Sequence, residues 1–290
     1  MKPSDIKTRI NGIIMEQLER GEIPRKRRWN CVQISGTTWK QYKGINQLVL
    51  QVVWTEKQFT TNRRLTFRMI NHMWWSVKKW EKGTLVIYWQ MLEDKIDPDR
   101  KIPVLRVYPV FNLDQTTLKP SATQEVEEIE AQTAVQIIKN FKDKPEIIHD
   151  KFDQAYYRLD LDEIHIPFQS DFDSIEEYYA TLFHELSHST WAPERLHRFE
   201  KDTRMRFGDH FYSYEELVAA TSEAYLCWHS QINPTVVQNT GAYIKYWLGA
   251  LKQDKNLLIS ASNKGWDSSE YILQNHKANC QNKKEEIMEQ

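Results

Sequence analysis

Apolar residues at Ile6, Ile10, Ile13, Ile14 and Leu18 recur at helical spacing between a Ser4 or Asp5 cap and Gly21, and predict a first helix. The run Leu48 to Trp54 fits helix or strand, because periodicity alone does not separate the two. Thr66 to Trp75 predicts a second helix. Gly83 to Trp89, rich in β-branched and aromatic residues, and Val104 to Leu113 predict strands. A helix over Val126 to Phe141 follows, then extended segments at Ala155 to Arg158 and Glu163 to Pro167 joined by a turn at Leu159 to Asp162. Asp173 to Thr190 carries Ile175, Tyr178, Tyr179, Leu182, Phe183 and Leu186 on one stripe behind a Ser174 or Asp173 cap, the strongest helical pattern in the chain. Further helices are expected over Ser213 to His229 and Gly241 to Leu251, with a charged, frayed tail from Lys283.

The apolar pattern lapses between Asp114 and Thr123, a polar stretch with one proline. Charge changes sign across it. Residues up to Leu118 hold 21 Lys+Arg against 11 Asp+Glu, which leaves 18 against 29 of the chain's 39 and 40 for the remainder. The two parts therefore carry about +10 and −11. This predicts two domains, 1–118 and 119–290: an α+β fold with a small α+β domain followed by a mostly helical one. At 290 residues, 40% hydrophobic and 27% charged, the composition is that of a folded protein. No stretch approaches the roughly 20 apolar residues of a membrane span, and the first residues do not form a signal-peptide core, so a cytoplasmic protein without membrane contact is expected. Cys31, Cys227 and Cys280 are odd in number and widely spaced, which argues against a disulfide framework or a thiolate metal site.

The strongest helix carries His184-Glu185-Leu186-Ser187-His188. Residues four apart on a helix differ by about 40° in azimuth, so His184 and His188 can reach one ion, and Zn2+ suits such imidazole ligands. Glu185, one step round, is placed to accept a proton from a water that the metal acidifies towards pKa ~7. This is the chemistry of peptide hydrolysis. A catalytic zinc site needs a third protein ligand. Glu216 is the first choice, on a helix about 25 residues downstream, with Glu215 and Glu223 as alternatives. Glu215 also suits the N-terminal turn of a helix, where the macrodipole favours a carboxylate. His165, His197 and His210 are read as lying outside the ligand set, and Asp209 as able to orient an imidazole.

Seven of the eleven tryptophans lie in the basic part. Trp54, Trp75 and Trp89 sit in apolar runs and are expected in the core. Others alternate with cations: Arg27, Arg28 and Trp29; Trp39, Lys40 and Lys43; Lys78, Lys79, Trp80 and Lys82. Aromatic faces for unstacked bases beside Lys and Arg for phosphates are what single-stranded DNA binding requires.

Several segments in order resemble the ArdC antirestriction family of conjugative plasmids and the N-terminal region of plasmid TraC primases. They include Tyr42-Lys43-Gly44-Ile45-Asn46, Lys79-Trp80-Glu81-Lys82-Gly83, Val110-Phe111-Asn112-Leu113-Asp114-Gln115, Tyr178 through His188, Arg195-Leu196, Arg206-Phe207-Gly208-Asp209 and Glu215-Glu216-Leu217-Val218-Ala219. The resemblance implies an N-terminal single-stranded-DNA-binding domain joined to a zincin-like metallopeptidase domain, with a role in protecting incoming DNA from restriction; the peptidase chemistry adds the expectation of a protein partner as substrate. An alternative reading is a DNA-binding protective protein whose zinc site is structural or silent. The chain departs from the family pattern at Trp80 and Trp191, where glycines are usual, and at Ala220, where a second acidic residue usually follows Glu216 by four.

Overall fold

The computed structural model describes residues 10–14, 32–93, 101–118, 133–151, 154–198, 210–232 and 256–288, with single positions at 5, 8, 16 and 254, and the backbone alone at 91, 103, 210–213 and 274–288. The described residues gather into two compact units, one containing 32–118 and the other beginning at 133.

The first unit is a sheet of four strands in the order β1-β2-β4-β3: β1 (Ile34–Ser35), β2 (Arg63–Thr66), β3 (Thr84–Glu93) and β4 (Lys101–Asn112). β1 runs parallel to β2 and the other pairs are antiparallel. The ambiguous run after Tyr42 is a helix, α1 (Gly44–Glu56), because Ile45, Val49, Leu50 and Trp54 fall on one buried stripe. A short helix, α2 (Phe67–His72), begins where the Thr66 hydroxyl accepts the Met69 N–H. The Asn46 side chain bonds both the N–H and the carbonyl of Ile87, at 2.8 and 2.7 Å, and so occupies part of the free edge of β3. The Asn112 side chain accepts the Asp114 N–H, and Gln115 returns a bond to the Asn112 N–H. Gln115 also donates to Glu81 and to the Lys82 carbonyl. Two of the sequence segments singled out above thus hold each other. At the centre lies Arg64, fully buried, donating to Gln33 and to the Leu50 carbonyl; burial lowers its pKa to about 9.

The second unit holds β5 (Glu146–Asp150), β6 (Tyr156–Arg158) and β7 (Glu163–Pro167) in the order β5-β7-β6, with β6 antiparallel to β7. Around them lie α3 (Ala134–Asn140), α4 (Ile175–Ser189), α5 (His210–Ser230) and α6 (Leu257–Met288). Ile164 and Ile166 of β7 pack with Ile137, Phe141, Leu182, Phe183, Leu186, Leu226 and Ile272 in one core. α3 starts at a Thr133 capping box; the upstream part of the expected helix lies outside the described residues, as does the expected helix at 241–251, whereas the positions described within 4–21 are helical, with Ile10 and Ile14 buried. The backbone is helical through Met288, past Lys283, where the sequence suggests a frayed tail. Among the described residues no helix is long and apolar enough to cross a membrane.

α4, α5 and α6 meet through small polar groups. The Ser187 hydroxyl donates to Ser222 at 2.8 Å, Ser222 to Ser268 at 3.0 Å, and Ser268 lies 2.9 Å from the Thr190 hydroxyl. All four residues are fully buried. A β-carbon on Gly265 would lie 2.1 Å from the Thr221 hydroxyl and 2.8 Å from the Val218 carbonyl. In an isolated helix Gly→Ala stabilises by about 1 kcal/mol. Here the sign should reverse: Gly265→Ala is expected to destabilise the second unit by about 1–3 kcal/mol through overpacking, read as a lower thermal midpoint. A raised midpoint would contradict this packing.

Candidate metal centre and nucleic-acid surface

α4 is set by its cap and its stripe. The Ser174 hydroxyl accepts the Glu177 N–H at 3.1 Å, Glu176 and Glu177 occupy the first turn, and Tyr178, Leu182, Phe183 and Leu186 face the core. His184 and His188 therefore emerge together towards α5. Their Nε2 atoms lie 3.1 Å apart, and both face Glu216, at 3.5 Å from His184 and 3.6 Å from His188. The donor atoms of these three residues all lie within 4.8 Å of one another.

Glu215 and Glu223 lie behind the imidazoles. Glu223 is 3.1 Å from His184 Nδ1, and Glu215 is 3.5 Å from His188 Nδ1. A carboxylate at each Nδ1 favours the tautomer protonated there and leaves both Nε2 lone pairs directed at the same place. The three glutamates of one helix thus divide between the convergence point and its support. Ala220 supplies no acidic group, and the carboxylate behind His184 comes from Glu223. Burial disfavours a charged His184, yet Glu216, Glu223 and the nearby Glu185 outweigh it and hold its pKa well above the ordinary value. The surplus negative charge calls for a cation at the imidazole nitrogens, a proton or a metal ion. Two imidazoles and a carboxylate form a donor set that fits a divalent ion of the zinc type.

Glu185 is buried beside this cluster, 7% exposed. Burial raises its pKa, opposed by the two histidines and by a hydrogen bond with the Tyr157 backbone on β6. Two arginines after α4 fix the surroundings. Arg195 binds both oxygens of Asp162 at 2.8 and 2.7 Å and the Asp143 carbonyl at 2.6 Å. Arg198 is buried against Glu215 and bonds the Thr190 hydroxyl and, at 3.2 Å, the Ser187 carbonyl. Arg198 carries no sequence signal, since a lone cation in a loop has no periodicity to mark it. His165 lies apart, between Asp150 and Glu163, and His197 is exposed. Asp209 and the His210 side chain lie outside the described residues.

In the first unit Lys40, Lys43, Lys78, Lys79 and Lys82 are exposed, although the Lys78 ammonium donates to the Asp114 carbonyl at 2.7 Å. The Arg63 guanidinium lies 4.2 Å from the Trp39 ring centre, and the Lys79 ammonium 5.1 Å from that of Trp80. Trp54 and Trp75 join the core, Trp54 donating to the Thr61 carbonyl. Trp89 departs from the core expectation: it is exposed, because this part of the β3–β4 hairpin extends beyond the residues that β2 pairs. Arg27, Arg28 and Trp29 lie outside the described residues.

Residues 4–111 match a family described as the N-terminal domain of anti-restriction factor ArdC, and residues 132–264 match the zincin-like metallopeptidases. The chain is similar to a DNA primase TraC of Escherichia coli, 29% identical over 295 residues that make up 90% of this chain and 26% of that protein. It therefore spans about a quarter of the primase's length. The y4eC protein of Sinorhizobium fredii is 26% identical over 93% of this chain and 92% of its own. The metal-free crystal structure of the antirestriction ArdC protein from plasmid R388 is 28% identical, with a TM-score of 0.75 over 94% of this chain and 98% of that one. The Mn(II)-bound structure of the same protein matches with the same TM-score and identity over 93% and 97%.

Breaking a buried ion pair leaves an uncompensated charge, at a cost of about 3–5 kcal/mol. Arg198→Ala should therefore lower the midpoint of the second unit sharply, and Arg198→Met combined with Glu215→Leu should recover most of the loss. Equal loss in the single and double variants would show that Arg198 acts through the Ser187 and Thr190 contacts instead.

Proposed function

The chain is an ArdC-type protein, an ArdC N-terminal domain followed by a zincin-like metallopeptidase domain, and on that premise we propose that it is an antirestriction protein whose first unit binds single-stranded DNA and whose second is a zinc peptidase acting on a protein partner. The observation that carries the peptidase reading is the convergence of His184 Nε2, His188 Nε2 and Glu216 with Glu185 buried alongside. His184, His188 and Glu216 would hold the ion. The Mn(II)-bound state of the R388 protein supports a divalent metal in this type of domain, and the mixed imidazole and carboxylate donors favour zinc.

When bound, such an ion supplies Lewis acidity towards water and towards a peptide carbonyl. The chain's own groups do the rest. Glu185 takes the proton of the attacking water and returns it to the departing amine nitrogen, a role that suits a carboxylate whose affinity for protons is raised by burial. Glu215 and Glu223 keep the imidazoles oriented, and Arg198 keeps Glu215 in place. In the first unit, Lys40, Lys43, Lys79 and Lys82 offer exposed charge for phosphates, and Trp39 and Trp80 offer faces for bases. Lys78 contributes charge from a fixed position on the Asp114 carbonyl. Arg27, Arg28 and Trp29 extend the same pattern in the sequence.

Glu185→Gln should retain the metal yet abolish protection of unmodified plasmid DNA entering a restricting host. Protection that survives this change would favour DNA binding alone, with the metal structural. Glu223→Ala should weaken zinc affinity about 10- to 100-fold in competition with a chelating dye, and an unchanged affinity would remove Glu223 from its supporting role.

A further inference from the structure

Three tryptophans of the first unit stand where a backbone ordinarily takes glycine. Trp39, Trp74 and Trp80 have φ of 58°, 61° and 71°, the left-handed region in which a β-carbon crowds the neighbouring carbonyl oxygen and a bulky residue is an outlier. Each is fixed there by a hydrogen-bonded turn. Trp74 follows the C-cap of α2: its N–H bonds the Asn71 carbonyl, and the Trp75 N–H reaches back to Ile70 at 3.1 Å, a helix ending whose left-handed residue is usually glycine. Trp80 is third in a turn closed by the Glu81 N–H on the Lys78 carbonyl at 3.2 Å, and a positive φ at that place alone makes it the type that calls for glycine. Trp39 ends the loop in which its N–H bonds the Ser35 carbonyl and the Ser35 N–H bonds that of Lys40.

The strain secures little packing within the protein. Trp39 is 50% exposed, Trp74 97% and Trp80 86%. Backbone strain that the fold does not repay inside itself points to contacts made outside. The turns also fix the direction in which each side chain leaves the backbone, which spares part of the ordering cost of an aromatic on a flexible loop. Cations accompany two of the rings, Arg63 at Trp39 and Lys79 at Trp80, within a basic stretch of chain. The three turns lie around α2. Trp39's loop touches it through the Thr37 hydroxyl and Met69 sulfur at 3.7 Å, Trp74 ends it, and Trp80, six residues on, is at most about 20 Å from Trp74.

We propose that Trp39, Trp74 and Trp80 are stacking posts for the unpaired bases of single-stranded DNA, held in glycine positions so that their rings project rigidly from the surface. The proposal rests on the DNA-binding reading of the first unit and adds Trp74, which has no flanking cation pattern to mark it in the sequence. It gives stability and affinity opposite signs. Replacing each tryptophan by glycine in the full chain should leave the thermal midpoint equal or higher, because the strain is relieved. The same changes should weaken binding of a fluorescein-labelled oligothymidylate by about 5- to 100-fold each. The salt dependence of binding should stay as in the parent, because the phosphate contacts are untouched. Trp80→Phe, which keeps an aromatic face, should retain most of the affinity.

Glycine variants that bind as tightly as the parent would overturn the stacking posts and assign these rings to another surface, leaving the DNA-binding reading intact. Affinity lost together with the thermal midpoint would overturn the proposal by showing that the rings are structural. A parent with no salt-dependent affinity for the oligonucleotide would overturn both readings.

Discussion

Ser187, Ser222, Ser268 and Thr190 let α4, α5 and α6 approach one another through buried hydroxyls rather than bulky side chains. Everything at the metal centre depends on that closeness. The histidines belong to α4 and the three glutamates to α5, so a displacement of one helix by a side chain's width would separate Glu216 from the two Nε2 atoms. Gly265 contributes by leaving room on α6 where Thr221 and Val218 come near. Arg198 reinforces the same junction, bonding the Ser187 carbonyl and Thr190 of one helix end while it neutralises Glu215 of the other.

The two histidines and Glu185 are legible in the sequence because a helix converts a spacing of four into a shared face. The third position is not legible in that way. Glu215, Glu216 and Glu223 all lie on one helix, and which of them meets the Nε2 atoms is a property of the crossing of α4 and α5, absent from either helix alone. The same holds for α6, whose stripe is interrupted by Ser262, Ser268 and Ser269, buried residues that read as polar. β1 and β2 escape the pattern because two and four residues, two of them arginines, are too short to show alternation. α1, by contrast, becomes unambiguous only once its buried stripe is seen against the sheet.

The first unit shows a different balance. Its fold is held by polar side chains that bridge distant segments: Asn46 on β3, Gln115 on the Glu81–Lys82 turn, Asp114 on Thr60, and buried Arg64 between Gln33 and α1. These fix the loops tightly enough for tryptophans to be kept outward in left-handed turns. The sequence shows the tryptophans and their cations, but exposure and backbone sign are set by the turns. Trp75 and Trp74 are neighbours in the chain with opposite fates, one packed on the core of Leu65, Ile70 and Phe111 and the other in solvent.

The central claim is that His184, His188 and Glu216 form one metal centre. Elemental analysis of the native chain, His188→Ala and Glu216→Ala, each checked for its fold by circular dichroism, tests it most directly. The account predicts about one zinc per native chain and its loss from both folded variants. A native chain that holds no metal, or a folded Glu216→Ala that keeps it undiminished, would contradict the centre as described.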